Sequence, residues 1–86
     1  MPKALLDFLG YMFFFWSNEG TEPPHIHVSK GAANANATKF WITKDGIELV
    51  HNHGQIPSQD LKKISRYILS NRADILAAWF SHFGGF

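Results

Sequence analysis

Residues 23–28 read Pro-Pro-His-Ile-His-Val. In an extended strand successive side chains point to opposite faces, so His25 and His27 project together, about 7 Å apart. Ile26 and Val28 turn the other way, toward a core. Two adjacent imidazoles can do three kinds of chemistry. They can ligate a divalent metal, for which neutral histidine is well suited. They can grip a phosphate. They can also split into a base and an acid for phosphodiester cleavage, because unperturbed histidine titrates near pH 6.5. RNA suits the last case, since its own 2′-OH can act as nucleophile. A metal would need a third ligand from Glu19, Glu22 or a second histidine pair, His51 and His53. The bland alternative is a pair of polar residues on a solvated strand face.

The composition narrows these choices. The chain has 86 residues, enough for one domain (1–86) and one core. It holds no cysteine, which excludes disulfides and thiolate zinc sites and fits a cytoplasmic protein. The formal net charge is +1, far from the basic excess of a duplex-DNA binder. Aromatic residues make up 15%, concentrated early. The apolar stretch from Ala4 to Trp16 has the length of a signal-peptide core. Asp7 and Gly10 interrupt it and no small-residue cleavage site follows, so it reads as strands of a non-membrane protein.

The elements that must position the histidines follow from periodicity. Ala4–Leu9 is a short apolar segment, strand or helical turn, ended by Gly10. Tyr11–Trp16 is apolar on both faces, as in a central strand. Ser17–Pro24 is a loop, and its two prolines hold the approach to His25 extended. His25–Lys30 is a strand, and Gly31–Thr38 a mobile small-residue connection. Lys39–Thr43 and Ile47–His51 form a hairpin around Asp45-Gly46. From Ser58, a plausible N-cap, Leu61, Ile64, Ile68, Ile75, Trp79 and Phe83 lie on one helical stripe. The pattern predicts one long helix, 58–83, ended by Gly84-Gly85. At roughly 39 Å it would overhang its sheet. The fold class is α+β: a small antiparallel sheet of four to five strands, then one long C-terminal helix. One helix covers one sheet face. The uncovered aromatic face and the overhanging Trp79, Phe80 and Phe83 call for a partner, either a second copy or another small protein.

The segments Phe-Phe-Phe-Trp-Ser-Asn-Glu and Pro-Pro-His-Ile-His-Val, then Lys-Phe-Trp, then a helix with Asn71-Arg72 and a late Trp79, resemble the small bacterial domain-of-unknown-function family 4160. The resemblance runs over nearly the whole chain and is most specific at Asn18-Glu19 and Pro23–Val28. It implies a small α+β fold and a toxin–antitoxin-like layout beside a second small protein; it implies no particular reaction. The family tends to carry Asn-x-Gly where Asn52 and Gly54 stand, whereas the flanking His51 and His53 look particular to this sequence.

The expected site therefore comprises His25 and His27 as a catalytic or metal-binding surface pair, with Asn18, Glu19 and Arg72 as binding residues. Arg72 has two readings: a phosphate grip near the histidines, or a structural pairing with the Asn18-Glu19 loop. The leading function is a toxin–antitoxin-like protein engaging RNA or a phosphate-bearing ligand. The alternative is a non-enzymatic protein–protein interaction module that binds a metal. His82 suits the helix C-terminal dipole. Lys62, Lys63 and Arg66 read as a solvated face.

Overall fold

Five strands and two helices follow one another along the chain. The computed structural model describes residues 3–18 and 20–84; residues 1, 2, 19, 85 and 86 lie outside it. The strands are β1 (Lys3–Phe8), β2 (Tyr11–Phe14), β3 (His25–Lys30), β4 (Thr38–Ile42) and β5 (Ile47–His51). They pair antiparallel in chain order, β1-β2-β3-β4-β5, which makes β3 the central strand. The helices are α1 (Ser58–Ser70) and α2 (Arg72–Phe83). No helix among the described residues is long and apolar enough to cross a membrane.

Alternation sorts the sheet residues into two faces. Tyr11, Phe13, Phe15, Ile26, Val28, Phe40 and Ile42 join Ile64 and Ile68 of α1 and Ile75 and Trp79 of α2 in one core cluster. Buried Tyr11 donates its hydroxyl to Asp60 at 3.0 Å, and burial first, then Asp60, pushes its pKa up. The opposite face carries Phe14, His25, His27, Lys39 and Trp41.

The single long helix is not formed. Asn71 leaves the helical region at φ −114°, ψ 20° and ends α1, while its carbonyl accepts the first bond of α2 from the Ile75 N–H. Its side-chain amide donates to the Tyr67 carbonyl at 2.8 Å, the local competition that makes asparagine a helix breaker. The apolar stripe concealed this break, because both helices pack on the same sheet face. Ser58 is the first helical residue, with Pro57 at the cap position. Gly84 closes α2 through its N–H to the Phe80 carbonyl.

Breaking the helix removes the overhang. Trp79 is buried against Phe15 and Phe83, with ring centroids 5.1 and 4.3 Å away. The 31–37 connection is also tied down. Ser29 Oγ donates to the Ala32 carbonyl and the Gly31 N–H to the Gly10 carbonyl.

Between β1 and β2 the loop is two residues, Leu9 and Gly10, at φ +54° and +79°. A two-residue hairpin loop with both angles positive is the geometry that asparagine–glycine favours. Leucine is strained there, and Leu9 is exposed, so it recovers little through burial. Leu9→Asn should stabilise the protein by about 1 kcal/mol. A thermal melt should show the midpoint rising by about 4–8 °C; an unchanged or lower midpoint contradicts the strain argument.

Candidate functional site

The Pro23–Val28 segment sets the site. Ile26 and Val28 enter the core as their alternation requires. His25 and His27 share the other face, with ring centroids 5.0 Å apart and edge to face. The pair is adjacent as expected, but it is not a solvent-facing pair. His25 is 0% exposed and His27 is 7%. Central position is the cause: β3 has neighbours on both sides, and aromatic rings cover this face as well. His25 lies between Trp41 at 5.5 Å and Trp79 at 4.9 Å. His27 packs on Phe14 at 5.6 Å and Trp16 at 6.3 Å.

The prolines do more than stiffen the loop. His25 Nδ1 lies 2.9 Å from the Pro23 carbonyl oxygen. A carbonyl only accepts, so Nδ1 carries a proton, and in the neutral ring Nε2 is the basic nitrogen. The Pro24 carbonyl accepts from the Ile42 N–H, which fastens the same segment to β4.

Strand pairing sets a row across the sheet. Phe14 pairs with His27, His27 with Lys39, and Lys39 with His51. The last link depends on an irregularity in β5: Lys39 opposes His51, but Phe40 opposes Leu49, so Val50 is an extra residue. Such a bulge re-aims the side chains beyond it. Here it places His51 beside Lys39. Lys39 Nζ sits over the Trp41 ring at 4.2 Å and pairs with Glu22 at 2.8 Å. Beyond His51 the chain turns back, and the His51 and His53 rings stack at 3.6 Å with 15° between their planes. Four imidazoles thus lie near one face as two pairs, with the Lys39 strand between them.

The Asn52-x-Gly54 segment builds this end of the site. Asn52 Oδ1 accepts from Thr38 Oγ1 at 2.7 Å and from the Ile56 N–H at 3.0 Å, while its amide donates to the Ile56 carbonyl at 3.0 Å. The Gly54 N–H donates to Thr38 Oγ1 at 3.1 Å. A Cβ on Gly54 would meet that oxygen at 2.8 Å, so only glycine fits.

The remaining predicted residues divide. Among the described residues, Arg72 goes neither to the histidines nor to Asn18. Its guanidinium donates to the carbonyls of Thr43, Lys44 and Gly46, clasping the β4–β5 turn to the start of α2. The role is structural, because a turn that exposes several carbonyls at one point matches the arginine fork. Asn18 is exposed on its loop. Glu19 lies outside the described residues. Glu22 is committed to Lys39. No group of three or more His, Cys, Asp or Glu among the described residues is placed to hold a metal. Lys39 and Trp41 were missed as site residues. Their alternation against Phe40 and Ile42 was readable, but their register against His25 and His27 was hidden by the long 31–37 connection.

Gly54→Ala should cost about 1–3 kcal/mol by overpacking against Thr38, read as a lower denaturant midpoint; an unchanged midpoint would show that the turn can shift away. A second expectation concerns pH. Partial burial, then the charges of His53, Lys39 and His27, lower the His51 pKa. The folded form therefore takes up this proton less readily than the unfolded chain. Its stabilising contribution is present above the ordinary histidine value and is lost as pH falls below about 6.5. His51→Gln should flatten the decline in unfolding midpoint between pH 7.5 and pH 5.5; an equally steep decline would assign it elsewhere.

A family model described as Domain of unknown function (DUF4160) matches residues 10–80. No curated protein and no solved structure matches the chain.

Proposed function

From the premise that this chain belongs to the domain-of-unknown-function family DUF4160, we propose that it binds a phosphate-bearing ligand, RNA foremost, as one half of a cytoplasmic toxin–antitoxin-like pair. The observation that carries this reading is the row His27, Lys39, His51 across three neighbouring strands. Three side chains able to carry positive charge stand side by side, with Trp41 beneath the ammonium and Trp16 beside the first imidazole. A phosphate needs such a cluster of cationic donors. The near-neutral total charge points to one or a few phosphates rather than a long duplex track.

Among the described residues, Glu22 is the competitor for Lys39. Its side chain is 41% exposed, while that of Lys39 is 14%. An ion pair open to water is worth about 0–1 kcal/mol, so a phosphate can displace the carboxylate. In this reading His27 and Lys39 are binding residues. His25, buried with its tautomer set by Pro23, is a positioning residue for His27. Binding rather than cleavage is the role that this burial favours.

A second reading rests on a separate feature. The β5 edge exposes Leu49 and Val50, and Leu69 of α1 is exposed nearby. An edge strand offers unpaired backbone groups to another chain. A co-encoded small protein or a second copy seated there would make the protein an interaction module. A partner there would stand beside the one expected for the aromatic face, where Trp16 and Trp41 remain partly exposed.

The test is binding of a labelled single-stranded RNA oligonucleotide. Lys39→Ala should weaken it by about tenfold or more, the loss expected for a charged hydrogen bond. Glu22→Gln should strengthen it. Unchanged affinity in Lys39→Ala with an intact thermal midpoint, or no binding by the natural chain, would overturn the proposal.

A further inference from the structure

Beside the histidine–lysine row lies a polar groove between the 31–37 connection and the 52–56 turn. We infer that it is a subsite for one nucleoside, the group attached to the phosphate held by the row. This inference rests on the phosphate-binding reading above and adds what the phosphate must carry.

The groove encloses about 300 Å³, and its lining includes Ser29, Lys30, Asn34, Asn36, His53 and Gln55. Ligand pockets begin at about this volume, and the lining holds no carboxylate. Its chemistry is that of carboxamides. Asn36 and Gln55 each present a donor beside an acceptor, the pattern that pairs with the hydrogen-bonding edge of a base. The exposed carboxamides of Asn36 and Gln55 are open to a ligand.

An aromatic platform stands at the same place. His53 lines the groove and is stacked on His51 at 3.6 Å, which fixes its ring plane. Unstacked RNA bases are received on such rings, histidine included. His51 is also the last member of the row, so the groove and the phosphate grip meet at the two stacked imidazoles.

Both walls are built before any ligand arrives. Asn34 Oδ1 accepts from the Asn36 N–H at 2.9 Å, which rounds one wall. The Thr38–Asn52–Gly54–Ile56 network sets the other. Within that wall Gln55 is held at φ +54°, a left-handed conformation that glutamine rarely adopts.

The experiment titrates the natural chain with inorganic phosphate and with each of the four ribonucleoside 5′-monophosphates, followed by calorimetry. At least one nucleotide should bind about tenfold tighter than phosphate, as one stacked base contributes. His53→Ala and Asn36→Ala should abolish that advantage and leave phosphate affinity unchanged, whereas Lys39→Ala should weaken both ligands. Equal affinity for phosphate and every nucleotide overturns the subsite and leaves the phosphate grip standing. So does a nucleotide advantage that survives both groove variants. An advantage that depends on His53 and Asn36 but ignores Lys39 upholds the groove and overturns the grip. Binding of neither ligand overturns both.

Discussion

Two helices can cover one face of a five-stranded sheet, and the sequence makes both faces apolar. The rest of the structure depends on how the second face is closed. The chain closes part of it from within. Three residues that follow β2 divide between the faces. Phe15 stays with the helices, against Trp79 and Phe83. Trp16 turns to the other side, onto Phe14 and His27. Glu22 then reaches Lys39 in β4. Phe14 becomes fully buried with no helix above it.

The same closure explains why the imidazoles are internal. His25 occupies the point where the two faces meet at the end of β3, so it touches Trp41 from one face and Trp79 from the other. A histidine suits that corner because its ring packs like an aromatic while one nitrogen satisfies the Pro23 carbonyl. The open chemistry is displaced along the row, to Lys39 and His51.

Much of this was legible from residue order. Period-two alternation in His25–Val28 gave the right division between core and histidine face, and β3 and β5 have their expected bounds. The Asp45-Gly46 turn and the closing Gly84 were equally readable. What escaped depended on long-range geometry. One residue, Asn71, divides a helix without disturbing its apolar stripe. Arg72 carried two readings, a phosphate grip or a structural pairing, and neither pointed to the turn 26 residues earlier that it clasps. The bulge at Val50 leaves no mark in the sequence, and without it His51 would not stand beside Lys39.

The Asn71 break also bears on how the chain acquires its fold. Neighbouring strands pair in chain order, so the sheet can assemble hairpin by hairpin from local contacts, which favours speed. Its closure is the opposite. Tyr67 of α1 donates to the Leu6 carbonyl and stacks on Phe8, and α2 packs on β1. The first strand is therefore completed by the two helices that follow the whole sheet in the chain. A meander formed ahead of the helices would leave its aromatic core face bare, the kind of surface that aggregates or is captured by chaperones. Closing the core therefore requires the two short helices to reach back across the whole meander to its first strand.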